Sequence, residues 1–457
     1  MFDIYTYLIL GVVAAGTLWG AYKRNDTFHP LVYLMPMAGY LYVYLPLVMK
    51  ANGQLQQHFS MEEVAFVQGL NLVCVVALFL GVVVGDRGLC RDPDRVSVFT
   101  IELTPQRRQI VRKIGIVLGT AGAGIFLIGI VYIGGFEAAF DSPKGGGWAP
   151  TGYLRDLKLL IIPAIVLLYL SNRGQQWSSS SKILVGIFSI PLFARAFLAT
   201  SRGWLFMGAA ALVGGWYIVH NRRPRLVTTL AGGVVLWILM MVLVSYRGEI
   251  YIGSDFFTGD RPSVTTMITE AVNRTEESGG YGNEFIYSVY AIQLAREEND
   301  IYYGRRYLTY TVIRPIPSLV WPNKYSDVGT QGIVRNAGTL GEENTDGIYE
   351  NFPNGIYPGI VGDLFVEFGW GGIPAIFFFG WVYGTVWRRY LVEGGQWTVV
   401  YAGIFAMSVF AMMQTIAAAY IARILIITAP TLFLWWRWMP RSDLKARRAQ
   451  PVSPAAS

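Results

Sequence analysis

Long apolar runs recur along this chain from end to end, and few folds can accommodate them. A helix needs about 20 mostly apolar residues to cross the hydrocarbon core of a bilayer. Only 15% of the residues are charged, compared with about 25% in soluble domains. The aromatic content of 14% argues against a disordered chain. The sequence therefore predicts an all-α polytopic membrane protein.

Eleven runs are candidate transmembrane helices. They lie near residues 4–21, 28–49, 64–85, 112–134, 155–171, 182–200, 203–220, 226–245, 370–388, 398–418 and 421–438. Residues 1–245 would hold the first eight and residues 370–438 the last three. The stretch 359–369 is apolar as well, but its Gly and Asp residues interrupt it too much for it to span alone.

The basic residues predict the orientation of these helices. The net charge of +7 does not indicate nucleic acid, because the Lys and Arg residues lie in short loops between apolar runs. Every second connection contains them: Lys23 and Arg24; Arg87, Arg91, Arg95, Arg107 and Arg108; Arg173; Arg222, Arg223 and Arg225; Arg388 and Arg389; and Arg441, Lys445, Arg447 and Arg448. Basic loops face the cytoplasm. The N-terminus is then periplasmic and the C-terminus cytoplasmic, as an odd number of spans requires.

One connection on the opposite side is much longer than the others. Residues 246–369 are rich in Tyr, Gly, Pro and Asn and contain helix-like stretches near 262–273 and 283–298. A connection this long in a compact protein is usually functional or disordered, and its aromatic residues favour order. We expect a large periplasmic loop that acts as a lid or partial domain. The tail 439–457 is predicted to be cytoplasmic and disordered.

Four arginines are predicted to lie at or near the outer ends of the spans. Arg195 and Arg202 are seven residues apart, so on one helix they would share a face. Arg247 follows the eighth span, and Arg423 opens the last. Arginine in a bilayer is costly and normally faces a bundle interior or a wet cavity. Such residues would bind a diphosphate through bidentate hydrogen bonds; the alternative is an interfacial or structural role.

A proline-rich stretch, RPIPSLVWPNKY at 314–325, lies within the long loop. Its three prolines argue against a regular helix. We expect a rigid extended segment near the outer interface. It would present Arg314, Trp321, Lys324 and Tyr325 as binding residues, since preorganised backbone favours binding. The alternative is a packed loop with interfacial aromatic residues.

Two carboxylates stand out where the chain returns to the membrane. Asp363 and Glu367 are four residues apart and would share one face of a helix. Either could be a general base for a sugar hydroxyl, and pairing with a nearby arginine is an equal alternative. The two cysteines form no CxxC motif, and no HExxH, GxSxG or P-loop pattern occurs. We therefore expect neither a metal nor another cofactor.

Four stretches resemble bacterial Wzy-type oligosaccharide repeat-unit polymerases, the O-antigen and exopolysaccharide polymerases. They are LATSRGW at 198–204, VSYRGE at 244–249, RPIPSLVWPNKY at 314–325 and YPGIVGDLFVEFGWGGIP at 357–374. The resemblance implies a GT-C-like helical fold in the bacterial inner membrane. It also implies a metal-independent glycosyltransferase that moves a growing glycan from undecaprenyl diphosphate to the non-reducing end of the next lipid-linked repeat unit. A chain-length co-polymerase and a flippase would be its partners.

The residues fit such a reaction, with Asp363, Glu367 and Arg247 as catalytic candidates. Arg202, Arg314, Lys324, Tyr325, Trp321, Arg195 and Arg423 are the candidates for substrate binding. Two alternatives stay open. An O-antigen ligase would use the same donor and transfer finished polymer to the lipid A core. A lipid-linked oligosaccharide flippase would need polar residues along a path through both leaflets, often with internal repeats.

Overall fold

The computed structural model consists of helices wherever its regular elements are described. It describes residues 1–91, 103–140, 154–199, 201–246, 266–267, 269–270, 284–297, 301–314, 316, 320–329, 358–414 and 417–439. Residues 440–457, which carry the predicted disordered tail, lie outside this set. The predicted all-α, multi-pass membrane architecture agrees with these helices, seven of which are long and apolar enough to cross a membrane.

Twelve helices position the features discussed below. In chain order they are α1 (Phe2–Lys23), α2 (Pro30–Ala51), α3 (Met61–Asp86), α4 (Pro105–Ile133), α5 (Lys158–Ser171), α6 (Ser179–Phe197), α7 (Gly203–Val219), α8 (Val227–Leu243), α9 (Glu284–Glu297), α10 (Gly359–Glu393), α11 (Gln396–Met412) and α12 (Ala418–Trp438). The seven long apolar helices are α1 to α4, α6, α10 and α12. The shorter apolar helices α5, α7, α8 and α11 coincide with four other predicted spans.

Local sequence explains where several helices begin. At α3, the Ser60 hydroxyl accepts a hydrogen bond from the Glu63 amide, and the Glu63 carboxylate accepts one from the Ser60 amide. This reciprocal arrangement satisfies two amides that helix geometry leaves without partners. At α4, Thr104 caps the first turn and Pro105 follows it, a position where proline costs no hydrogen bond.

Helices α3 and α10 cross at two pairs of glycines. A methyl group at Gly81 would lie 2.1 Å from the Phe377 carbonyl oxygen, and one at Gly380 would lie 2.4 Å from the Leu78 carbonyl oxygen. Gly85 and Gly384 lie just as close to the facing backbone. Small residues spaced by four let two membrane helices approach backbone to backbone. This crossing fixes α10 against α3.

The outer part of α10 begins before the predicted ninth span. Residues Gly359–Phe368 are helical, and a tight turn at Gly369–Gly371 joins them to Gly372–Glu393. The stretch 359–369, expected in the periplasmic loop, is therefore continuous with the span. Helix α9 packs against this part of α10 and against α3, with Phe285, Val289 and Ile292 buried. This piece of the long loop belongs to the packed bundle.

Candidate functional site

A buried lysine lies at the end of the bundle that the loop charges predict to face the periplasm, called here the outer end. Lys158 begins α5 and is 0% exposed. Its ammonium nitrogen lies 4.4 Å from the centroid of the Trp204 ring and 5.9 Å from that of Phe126. Aromatic faces attract a cation, and the attraction strengthens when water is excluded. The structure thus holds a cation beside the Ser201–Trp204 segment.

Arg423 contacts this region through Asp156, which lies two residues before Lys158 in the chain. Its guanidinium nitrogen lies 3.4 Å from a carboxylate oxygen of Asp156, and its centre lies 5.2 Å from the ring centroid of Phe410. Asp156 is 6% exposed, so the ion pair is largely shielded from water. The structure therefore places the predicted binding residue Arg423 close in the fold to Lys158.

Arg195 also belongs to the outer end, but the predicted face shared with Arg202 is wrong. Helix α6 ends at Phe197, Ser201 is extended, and a new helix begins at Arg202. The chain turns between the two arginines, so helical periodicity does not connect them. Arg195 is buried. The side chain of Arg202, a predicted binding residue, lies outside the described part of the structure.

The chain neighbours of Arg195 belong to two small apolar clusters that border Lys158. Its neighbour Ala194 packs against the cluster that contains Phe126, and its other neighbour Ala196 belongs to the cluster with Trp204. The Lys158 ammonium faces both of those rings. We call Lys158, Arg195, Arg423 and Asp156 the outer cation cluster.

The apolar cluster that contains Ala196 also contains Tyr246, whose phenol binds a carboxylate. Tyr246 is 1% exposed and packs with Ala196 and Leu205, while Trp204 and Met267 border the same cluster. The Tyr246 hydroxyl donates a hydrogen bond of 2.5 Å to a carboxylate oxygen of Glu270. Arg247, the next residue and a predicted catalytic group, lies outside the described residues.

Asp363 and Glu367 do share one helix face, and a single arginine binds both. The Arg306 guanidinium lies 2.9 Å from an Asp363 carboxylate oxygen, and its Nε donates to the Glu367 carboxylate. The Arg306 amide donates to the other Glu367 oxygen at 3.2 Å. All three side chains are buried. The structure therefore contains the ion pair between the carboxylates and an arginine that was the alternative to catalysis. A catalytic role for these carboxylates remains a prediction.

The Arg306–Asp363–Glu367 group ties the long loop to the membrane helices. Arg306 belongs to the helical turn Arg305–Leu308, whereas both carboxylates belong to α10. Removing one partner from a buried ion pair leaves an uncompensated charge and is strongly destabilising. This group therefore fixes residues 301–314 against the outer part of α10.

The proline-rich segment differs in part from the predicted extended conformation. Lys324–Asp327 form one helical turn. The Lys324 ammonium is buried and donates to the carbonyl oxygens of Arg314, at 3.2 Å, and of Ile316. Burial and then the Arg314 charge lower the pKa of Lys324. In this structure the hydrogen bonds of Lys324 hold the proline-rich segment in its own conformation. Lys324 can bind substrate, as predicted, only if it gives up these hydrogen bonds.

The other predicted residues of this segment are partly accessible. Trp321 donates its indole N–H to Asp327 at 2.6 Å, and the Tyr325 ring lies 4.9 Å from the Lys324 ammonium. Arg314 lies 4.9 Å from the ring centroid of Tyr310, which packs against Ala418 and Ala419 at the start of α12. The segment is thereby held beside the same helix that carries Arg423.

The opposite, inner end contains a different set of buried charges. Arg24 donates to Asp86 at 2.7 and 2.9 Å, and His29 lies 3.3 Å from the same carboxylate. Arg223 pairs with Asp26, which also accepts the indole N–H of Trp387 at 2.9 Å. We call Arg24, Asp26, His29, Asp86 and Arg223 the inner ion-pair cluster.

The charges of the inner cluster stabilise one another. Burial alone would raise the pKa of Asp26, but the Arg223 charge and the hydrogen bonds from Arg223, Phe28 and Trp387 lower it below its usual value. The partners come from the α1–α2 connection, the α7–α8 connection and α10. The cluster therefore holds the inner helix ends together.

Two central residues, Lys158 and Arg306, are absent from the sequence predictions. Lys158 stands at the edge of an apolar run in RDLKLLIIP, where a lysine usually snorkels to the interface. Arg306 follows Arg305 in GRRYL, and the pattern does not indicate which of the two is buried. In the part of the chain that the structure describes, no group of three His, Cys, Asp or Glu side chains is placed to hold a metal ion.

The arrangement at the outer end suits an anion next to a hydroxyl-bearing ligand. The outer cation cluster supplies positive charge in a region of low water content, where electrostatic interactions are strong. The Trp204 ring, which lies against Lys158, borders the apolar cluster that contains Tyr246, and Tyr246 donates its hydroxyl to Glu270. No protein-family model, curated protein or solved structure gives a significant match to this chain.

Proposed function

We propose that the protein is a glycosyltransferase that polymerises undecaprenyl-diphosphate-linked oligosaccharide repeat units at the periplasmic face of the bacterial inner membrane. It transfers the growing glycan to the non-reducing end of the next lipid-linked repeat unit and needs no metal. The observation that supports this most directly is the outer cation cluster, in which Lys158, Arg195 and Arg423 gather at the predicted periplasmic end.

The chemistry of the donor explains why such a cluster is useful. When the sugar leaves undecaprenyl diphosphate, negative charge develops on the diphosphate at the membrane edge. Preorganised positive groups that face this charge are often the largest contribution to catalysis. Arg195 and Arg423 bind phosphate oxygens in this proposal, and Lys158 adds a buried point charge. Arg202 and Arg247 remain sequence-based candidates for the same role.

The loop residues supply the sugar site in this proposal. Trp321 and Tyr325 offer aromatic faces on which sugar rings stack, and Arg314 lies beside them near α12. A chain-length co-polymerase and a flippase are the expected protein partners. The N-terminus is periplasmic and the C-terminus cytoplasmic in this arrangement.

The inner ion-pair cluster weighs against the flippase alternative. A flippase must open a polar path at the cytoplasmic side, and here buried ion pairs join several helix ends on that side. Opening the path would separate Arg223 from Asp26 and expose buried charges, which is costly. The ligase alternative uses the same donor site, so the experiment must distinguish it by the product.

The test is the length of surface or secreted glycan in a strain that lacks this protein. We expect each acceptor to carry a single repeat unit, with long chains restored by the wild-type protein. Long polymer that accumulates on undecaprenyl diphosphate without reaching its acceptor would identify a ligase. Repeat units that remain on the cytoplasmic side would overturn the enzyme proposal in favour of the flippase.

A further inference from the structure

The Tyr246–Glu270 pair lies where a glycosyl transfer would need a proton acceptor. Tyr246 belongs to the apolar cluster that Trp204 borders. The centroid of the Trp204 ring lies 4.4 Å from the Lys158 ammonium nitrogen. Glu270 is half-buried, so a ligand can reach it, and it accepts the Tyr246 hydroxyl at 2.5 Å. The carboxylate is therefore only a few side chains away from the proposed diphosphate site.

The two carboxylates chosen from sequence are less suited to this role. Asp363 and Glu367 are buried, at 1% and 0% exposure, and both bind Arg306. To accept a proton from a sugar hydroxyl, either would have to give up part of that ion pair and become accessible. A general base must lie within hydrogen-bond reach of the proton that it removes. Glu270 meets this requirement without breaking the Arg306 group.

We propose that Glu270 is the general base of the transfer and that Tyr246 is a positioning residue that orients its carboxylate; the proposal rests on the proposed function. Glu270 removes the proton of the acceptor hydroxyl while the hydroxyl oxygen bonds to the anomeric carbon of the donor glycan. The bond from that carbon to the diphosphate oxygen breaks, and its electron pair leaves with undecaprenyl diphosphate. The proton on Glu270 then passes to water.

The role of the phenol follows from the geometry of the hydrogen bond. The Tyr246 ring is fixed by burial among apolar side chains, so the hydroxyl has little freedom. The hydrogen bond from Tyr246 thereby holds the Glu270 carboxylate in one orientation beside the cluster that Trp204 borders.

The experiment uses membranes of the deletion strain that carry the full-length protein and its accumulated lipid-linked repeat units. We expect Glu270→Gln to lower the rate of chain extension by about 10²–10⁴-fold, the usual contribution of a general base, at unchanged membrane abundance. Added formate should restore part of the activity of Glu270→Ala, because it supplies a carboxylate in the vacated space. Tyr246→Phe should lower kcat by about tenfold, a smaller effect that corresponds to the loss of one hydrogen bond to a charged group, and leave the KM for the repeat unit unchanged.

Glu297→Gln is the matched control, because Glu297 is an exposed carboxylate on the same long loop. It should behave like the wild type. Full activity of Glu270→Gln, or no effect of formate on Glu270→Ala, overturns the role of Glu270 and leaves the proposed function intact. Failure of the wild-type protein to restore long chains overturns the proposed function itself. If Glu270→Gln does not accumulate in the membrane, Glu270→Asp and Glu270→Asn are compared at equal abundance. Glu270→Asp should be the more active of the two, because it keeps a carboxylate. Equal activities refute the role of Glu270 as the general base.

Discussion

The two ends of the helical bundle use buried charge in different ways. At the inner end, Arg24 pairs with Asp86 and Arg223 with Asp26, so each guanidinium has its own carboxylate. At the outer end, Arg423 pairs with Asp156, and the single guanidinium of Arg306 contacts two carboxylates. Lys158 lies there against the rings of Trp204 and Phe126. Among the described residues, the inner end thus contains one-to-one ion pairs, whereas the outer end contains a cation against aromatic rings and a guanidinium shared by two carboxylates.

This difference indicates what each end is built to do. Matched pairs satisfy themselves, so the inner cluster favours one closed arrangement of the helices. The proposed function assigns the buried cations of the outer end to an anionic ligand, whose charge offsets the cost of burying them. Under the proposed function the outer end is a ligand site, while the ion pairs of the inner end join the helices. Four substitutions test this contrast, from the largest expected effect to the smallest.

Replacement of Arg306 should give the largest loss of stability. Arg306→Met leaves Asp363 and Glu367 buried without their shared guanidinium, and losing one side of a buried ion pair costs about 3–5 kcal/mol. The measurement is the thermal unfolding midpoint of the purified protein in detergent. Arg305→Met is the control, because Arg305 is the adjacent exposed arginine. Equal midpoints for the two variants would contradict a structural role for the Arg306 group.

Replacement of Lys158 should abolish activity while preserving the fold. Lys158→Met keeps an unbranched apolar stem between the rings of Trp204 and Phe126, and an apolar residue of similar volume is tolerated where a charge was buried. Chain extension should fall by about 10²–10³-fold, as when one group that stabilises developing negative charge is removed. Glycan chain length and membrane abundance are measured together.

The control for this variant lies at the inner end. Lys182→Met changes an exposed lysine at the start of α6 and should leave both chain length and abundance unchanged. Long chains from Lys158→Met would remove Lys158 from the proposed diphosphate site. Lost abundance with normal activity per molecule would make it a structural residue like those of the inner cluster.

The inner cluster should respond in the opposite way. Asp26→Asn removes the charge that faces Arg223 but keeps an oxygen that can accept the Trp387 indole N–H. We expect a loss of about 1–3 kcal/mol in stability, the cost of a weakened buried polar contact, and normal chain extension per folded molecule. Glu393→Gln, at a half-exposed carboxylate near the same end, should change neither. A specific loss of activity in Asp26→Asn would show that the two ends are coupled.

The sequence was sufficient to predict the helical architecture. Apolar runs of about 20 residues are a direct consequence of bilayer thickness, and each predicted span coincides with an apolar helix. The pairing of helices was not predictable. Gly81 and Gly85 form one visible G-x-x-x-G pattern and Gly380 and Gly384 another, but spacing alone does not indicate that these two patterns face each other.

The candidate site was predictable only in outline. Arginine at the outer ends of the spans indicated a partner or a ligand, because charge near a bilayer is costly without one. In the structure Arg195 is buried and Arg423 pairs with Asp156, while a role of either in substrate binding stays a prediction. The partners of these charged residues were not predictable from sequence, because residues such as Arg306 and Asp363 meet only through tertiary packing. The prediction that Arg195 and Arg202 share one helix face was wrong because the helix that carries Arg195 ends at Phe197.

The smallest effect is expected at an exposed pair of charges. Lys50 donates to both oxygens of Asp3 at 2.6 Å, and the two side chains are 32% and 52% exposed. Water screens such a pair, which contributes about 0.2–1 kcal/mol at most. Asp3→Asn should therefore shift the unfolding midpoint by little, and less at high salt than at low salt. A loss comparable to that of Arg306→Met would mean that proximity of opposite charges decides stability at this end of the bundle, and burial would no longer explain the contrast between the two ends.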